Sequence, residues 1–182
     1  MNEAGKNEEI LRYPIGRFQW DGNWNEELRR QWTCSIRSQP GLLQAALEAL
    51  GGAGLDIPYR PGGWTVRQVV HHMADSHMNC YIRIKLAVTE DNPVIKPYRE
   101  DLWAELADSR SYPVEPSLLL LESLHSRWAD LLDSLSETDY LRSFFHPESN
   151  SLIPLRRALA QYNWHGNHHI AHIKSVNPAP NG

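Results

Sequence analysis

Four long stretches of this chain are bounded by residues that start and stop helices, and nothing in it alternates apolar and polar side chains as a run of strands would. Asn25 is placed to cap a helix from Glu26 towards Leu50, ended by Gly51-Gly52, with Pro40-Gly41 expected to kink or break it. Thr65 and Gln68 form a capping-box pair that opens a second helix to about Val88. Its apolar residues Val66, Val69, Val70, Met73, Cys80, Tyr81 and Ile84 recur at helical spacing. Pro116 begins a third helix, to about Leu135, with Leu121, Leu124, Trp128, Leu131 and Leu135 on one stripe and His125 among them. Pro154 opens the fourth, to about Lys174. Between them, "REDLWAEL" (99–106) reads as a short helix and "FHPESNSLIP" (145–154) as a small irregular hairpin. Residues 1–24 read as an extended arm wrapping the core. The class is all-α, and four long helices in a chain of this size make a four-helix bundle the natural architecture.

The 182 residues suffice for one domain, 1–182, with a substantial core, to which seven Trp and seven Tyr bring large packing surfaces. A net charge of −4 without a Lys/Arg stripe argues against nucleic acid as a partner. No apolar run reaches the roughly 18 residues of a membrane span, and the polar N-terminus lacks the apolar segment of a signal peptide. Cys34 and Cys80 have no CxxC spacing and read as free thiols. The expectation is a cytoplasmic protein.

Seven of the nine histidines fall in two short segments, "VVHHMADSHMN" (69–79) and "NWHGNHHIAHI" (163–173). On the last helix, Leu155, Ala158, Leu159, Tyr162 and Ile173 define an inward face, and His165, His169 and His172 lie on or beside it. A buried imidazole needs hydrogen-bond partners for its nitrogens, so three satisfied core histidines in one stripe are a demanding alternative to a metal site. His165 and His169, four apart, can aim at one ion. His172 is too far along, because seven residues span about 10.5 Å of helix. His168 with His172 has the same i, i+4 spacing, but His168 lies off the inward face. A third ligand should come from the first cluster. There the period favours His77 as buried, leaves His72 at the edge of the stripe, and sets His71 on the opposite face beside Asp75. It does not choose the ligand.

The segments "PYRPGGWTVRQVVHHMADSHMN" (58–79), "LHSRW" (124–128) and "NWHGNHHIAHI", with "RYPIG" (12–16) and "KPY" (96–98), resemble the YfiT branch of the DinB/YfiT-like superfamily over roughly residues 12–173. The resemblance implies a DinB/YfiT-like four-helix bundle, commonly dimeric, with one divalent ion, Zn²⁺ or Ni²⁺, in each subunit. It implies His72, His165 and His169 as the ligands. Members of the family often carry a further His where this chain has Asn167, a position outside the ligand set.

Three imidazoles are the ligand count of a catalytic rather than a closed structural site. The activity usually assigned to this branch is metal-dependent hydrolysis of a small molecule, by activation of water. Two alternatives stand beside it. One is transfer of a low-molecular-weight thiol, of the bacillithiol type, to electrophiles. The other is a bundle whose metal only ties helices together. There is no HExxH and no GxSxG, and "DSH" (75–77) is only a local run. No catalytic group beyond the metal ligands is singled out. His71, Asp75, His168 and His172 are unranked candidates for supporting contacts, with Asp75 expected to be a solvated carboxylate. His125 is read as a core contact and His146 as a loop residue. Gly166, within the ligand helix, suggests a need for small size, so Gly166→Ala is expected to keep or raise helix stability while impairing activity.

Overall fold

The structure, a computed structural model, describes residues 3–177. In chain order its helices are α1 (Glu3–Arg12), α2 (Glu26–Leu50), α3 (Val66–Thr89), α4 (Glu100–Trp103), α5 (Ala107–Arg110), α6 (Glu115–Ser134) and α7 (Leu155–Ser175). Strands β1 (Ser143–His146) and β2 (Ser151–Pro154) pair antiparallel, Phe144 opposite Ile153, just before α7. Helix α2 packs on α6 and α7, and α3 packs on the same two, which closes a four-helix bundle.

The start signals act as their chemistry requires. The Asn25 side chain accepts from the Leu28 amide, and Thr65 with Gln68 forms a reciprocal capping box. Pro116 lies in the first turn of α6, where its missing N–H removes nothing.

Two expectations need correction. Residues Glu3–Arg12 are helical rather than extended. The segment lacks an apolar stripe, but Glu, Ala, Lys, Leu and Arg are good helix formers and Arg12 suits the C-terminal turn. Helix α2 continues through Pro40-Gly41 without a break. Packing on two neighbouring helices holds it together despite the hydrogen bond that Pro40 cannot give to the Ile36 carbonyl. The short helix expected within 99–106 is present as α4, and a further short helix, α5, follows beyond that stretch.

After α1 the chain runs without regular structure to Asn25 and covers its own bundle. Tyr13 stacks on His168, Phe18 meets Trp164, and Trp24 packs on Trp32 and Tyr140. The Trp164 indole donates to the Gly16 carbonyl at 3.1 Å.

Two apolar clusters form the core. One gathers Ile36, Ile84, Trp128 and Leu159; the other gathers Leu43, Val70, Leu121 and Ile173. Along every bundle helix a polar layer falls between them: Gln39 on α2, His72 and His77 on α3, His125 on α6, and His165 and His169 on α7. All six are buried except His165, which is half-buried. The candidate site lies in that layer.

Candidate metal centre

His165 and His169 occupy successive turns of α7, so their spacing is set by the helix itself. His72 reaches them from α3, which packs directly against α7. Each of the three rings offers a nitrogen, and these atoms lie within 4.8 Å of one another. The Nε2 atoms of His72 and His165 are 3.2 Å apart. Nitrogens bound to one tetrahedral zinc at about 2.1 Å would stand about 3.4 Å apart. The donor set therefore fits a divalent ion, with imidazole nitrogens facing one another across a gap of the right size.

Burial holds all three rings in the neutral form that a ligand needs. It lowers the pKa of His72 to about 4 and those of His165 and His169 well below the usual histidine range, the latter two further depressed by neighbouring imidazoles. Among the described residues no fourth Cys, Asp, Glu or His joins the group.

Two hydrogen-bond chains lead away from it. His165 Nδ1 meets His77 Nε2 at 3.1 Å, His77 Nδ1 meets His125 Nε2 at 2.7 Å, and His125 Nδ1 meets the Ile36 carbonyl at 2.6 Å. His169 Nδ1 stands 3.4 Å from His172 Nδ1, and His172 Nε2 is 3.1 Å from the Arg12 carbonyl. His77 is thus buried as its stripe required, but bonded to imidazoles rather than packed as a hydrocarbon. Helical spacing gave no sign that His77 and His125 would meet, because the contact joins α3 to α6.

The remaining candidates separate cleanly. His71 is not on an outer face: it is buried against α6, its ring nitrogens at 2.8 Å from Ser117 Oγ and 3.2 Å from the Tyr112 carbonyl. Asp75 is half-buried rather than solvated, and loss of solvent, followed by repulsion from Asp108, raises its pKa to about 6. His168 is buried between Trp164 and Tyr13, with its Nδ1 unpartnered, and shares no group of three donors with His172 among the described residues. Asn167 turns to α2, donating to Ser35 Oγ at 3.1 Å. His146 ends strand β1 and lines a cleft.

Two clefts open beside the three rings. One, about 490 Å³, is lined by His72, His165 and His169 with Arg12, Tyr59, Arg60, Trp64 and Trp164. The other, about 370 Å³, is lined by Ser76, Arg83, Tyr98, His146 and Tyr162 among others. His165, Gln161 and Glu100 border both. Glu100 is a functional candidate that sequence reasoning missed. Although its side chain reaches solvent, partial burial in the clefts, then Asp101 and Glu148, raises its pKa.

Residues 36–173 match the DinB superfamily, a span that takes in all four bundle helices in whole or large part. The chain belongs to the DinB superfamily. Relatives from Bacillus mycoides (strain KBAB4) and Oceanobacillus iheyensis are each 54% identical, covering 91% of this chain and 95% of theirs. Both are provisionally named metal-dependent hydrolases. The solved structure of YfiT from Bacillus subtilis superposes with a TM-score of 0.87 at 48% identity, covering 90% of this chain and 94% of that one. It is described as having an unusual four-helix bundle topology and, provisionally, as a metal-dependent hydrolase. The fold is therefore the DinB/YfiT-like four-helix bundle.

Proposed function

We propose that this DinB-superfamily protein is a metal-dependent hydrolase acting on a small molecule, with His72, His165 and His169 holding one divalent ion, Zn²⁺ or Ni²⁺, in each chain. The observation that carries this reading is the convergence of three neutral imidazoles, without a fourth side-chain donor among the described residues, beside two open clefts. A divalent ion held by these three rings would be free to polarise a water molecule and would supply a nucleophile at neutral pH by lowering that water's pKa to about 7. Glu100, with its raised pKa and its place on both clefts, is the residue suited to take a proton from the attacking group. The names of the relatives support hydrolysis.

One observation favours a second reading, transfer of a low-molecular-weight thiol. Two separate clefts meet at His165, as a reaction between a thiol and an electrophile would require. A purely structural ion is less well supported, because such zinc sites are closed by four protein ligands. No described helix is long and apolar enough to cross a membrane, and Cys34 and Cys80 are free, which suits residence in the cytoplasm. The arm's aromatics are engaged on their own bundle, and dimerisation is proposed from exposed Leu102, Leu106 and Leu119 and from the family resemblance.

The deciding experiment incubates metal-loaded protein with a panel of esters and amides, and separately with thiols plus an electrophile. Turnover of the first panel that vanishes with chelation and returns with Zn²⁺ or Ni²⁺ supports the hydrolase. Thiol conjugation alone establishes the second reading, and inertness in both overturns catalysis.

A further inference from the structure

The two imidazole chains end on main-chain carbonyls, and each of those carbonyls lacks its usual helical partner. Pro40, four residues after Ile36 within α2, has no N–H to give the Ile36 carbonyl. Arg12 is the last residue of α1, where carbonyls are left without intrahelical partners. A carbonyl can only accept. That one-way end fixes the direction of every bond behind it.

With neutral rings, His125 must carry its proton on Nδ1 to donate to Ile36, which leaves its Nε2 bare. His77 Nδ1 must then donate to it, leaving His77 Nε2 bare, and His165 Nδ1 must donate to that. His165 is left with a bare Nε2, the atom that faces His72. The second chain runs the same way. His172 donates through Nε2 to Arg12, its bare Nδ1 accepts from His169 Nδ1, and His169 Nε2 is free. His77 and His125 are fully or almost fully buried, and their hydrogen-bond partners are other imidazoles and one carbonyl, with no carboxylate among them, so the cost of burying a charge outweighs what the carbonyl offers a cationic ring and both stay neutral.

We propose that His77 with His125, and His172 with Arg12, are positioning residues that lock His165 and His169 in the Nδ1–H tautomer, so that both present Nε2 lone pairs towards His72. Pro40 and the end of α1 are part of the device, because each leaves unpaired the carbonyl that starts a chain. The proposal rests on reading His165 and His169 as ligands, but the tautomers it assigns belong to the metal-free protein and can be read without any metal.

Long-range ¹H–¹⁵N correlation spectra of metal-free protein, labelled at histidine and held near pH 8, read the tautomers directly. The expected pattern is Nδ1–H on His77, His125, His165 and His169, and Nε2–H on His172. An Nε2–H tautomer at His165 or His77 overturns the first chain, and one at His169 the second. Zn²⁺ affinity, measured by chelator competition, supplies the second readout. His125→Leu is expected to bind Zn²⁺ 10- to 100-fold more weakly and to lose the Nδ1–H signature at His165. His125→Gln can donate to Ile36 and accept from His77, so it should restore both. If folded His125→Leu matches the parent in both readouts, or Gln rescues neither, the relay is refuted. Should His125→Leu fail to fold, the parent spectrum and the Gln variant still decide. A parent with the expected tautomers but no Zn²⁺ binding would sink the ligand reading and leave the relay standing.

Discussion

Gly166→Ala is the substitution for which helix propensity and packing make opposite predictions. Propensity alone favours Ala by about 1 kcal/mol. A Cβ at this position, however, would fall on the side-chain amide of Gln39 from α2, well inside van der Waals contact with Oε1, Cδ and Nε2. Gln39 is fully buried and cannot swing into solvent. Its Nε2 donates to the Asn163 carbonyl at 3.0 Å, so displacing the amide also breaks a bond that ties α2 to α7.

Losing that bond inside the protein costs about 1–3 kcal/mol, and forcing a methyl into a filled layer costs about 1–3 kcal/mol more. Net of propensity, the variant should be destabilised by about 1–5 kcal/mol, which for a chain of this size lowers Tm by about 2–20 °C. The sequence-based expectation that Ala would keep or raise stability therefore reverses. Thermal melts of Gly166→Ala, Gln39→Ala and the double variant check this, because shortening Gln39 makes room for the methyl. The double variant should melt above Gly166→Ala alone, as expected of two contacting residues. Gly166→Ala melting at or above the parent would refute the reasoning and leave Gly166 as a tolerated residue.

Metal analysis of purified variants should find His169→Ala and His165→Ala depleted of metal and His168→Ala loaded like the parent; full loading of His169→Ala would defeat the ligand assignment. The metal-free protein should lose stability as pH falls from about 6.5 to about 4, because the unfolded chain takes up protons there while buried His72, His125 and His172, with folded pKa values of about 4, do not. His125 alone can account for up to about 3 kcal/mol of this, and a flat denaturation profile across that window would contradict it. Asp75 works in the opposite sense: its pKa of about 6 marks a carboxylate that destabilises the fold once ionised, so Asp75→Asn should raise stability at pH 8 and change little at pH 4. Light scattering should return about twice the 20.9 kDa chain mass, and a monomer at micromolar concentration would count against the dimer.

The parts of the fold legible in the sequence were those written locally. Asn25, Thr65 with Gln68, and Pro116 act within one helical turn, and the stripes on α3, α6 and α7 name their own buried faces. Likewise the pairing of His165 with His169 follows from one helix, whereas the period could not choose between His72 and His77. Both are buried, one facing the other ligand candidates and the other facing α6, a distinction that depends on where the neighbouring helices stand. The error at Pro40 has the same origin. The local rule that Pro breaks a helix is sound, but α6 and α7 hold α2 in place, and a ring on α6 takes up the carbonyl that Pro40 leaves unpaired.

That last contact explains how a small bundle tolerates a polar layer between two apolar clusters. A buried imidazole without partners destabilises a core, and so does a helical carbonyl without its N–H. Here the two problems answer each other: His125 supplies the donor that Pro40 lacks, and His172 supplies one for the end of α1. Each ring that satisfies a carbonyl then has one acceptor nitrogen left, which the next ring fills, until the last unshared lone pairs stand on His165 and His169. A third base, His72, faces them across the bundle. With six neutral rings and two carbonyls the layer holds two more acceptors than donors, and a divalent cation held as proposed would take up that surplus.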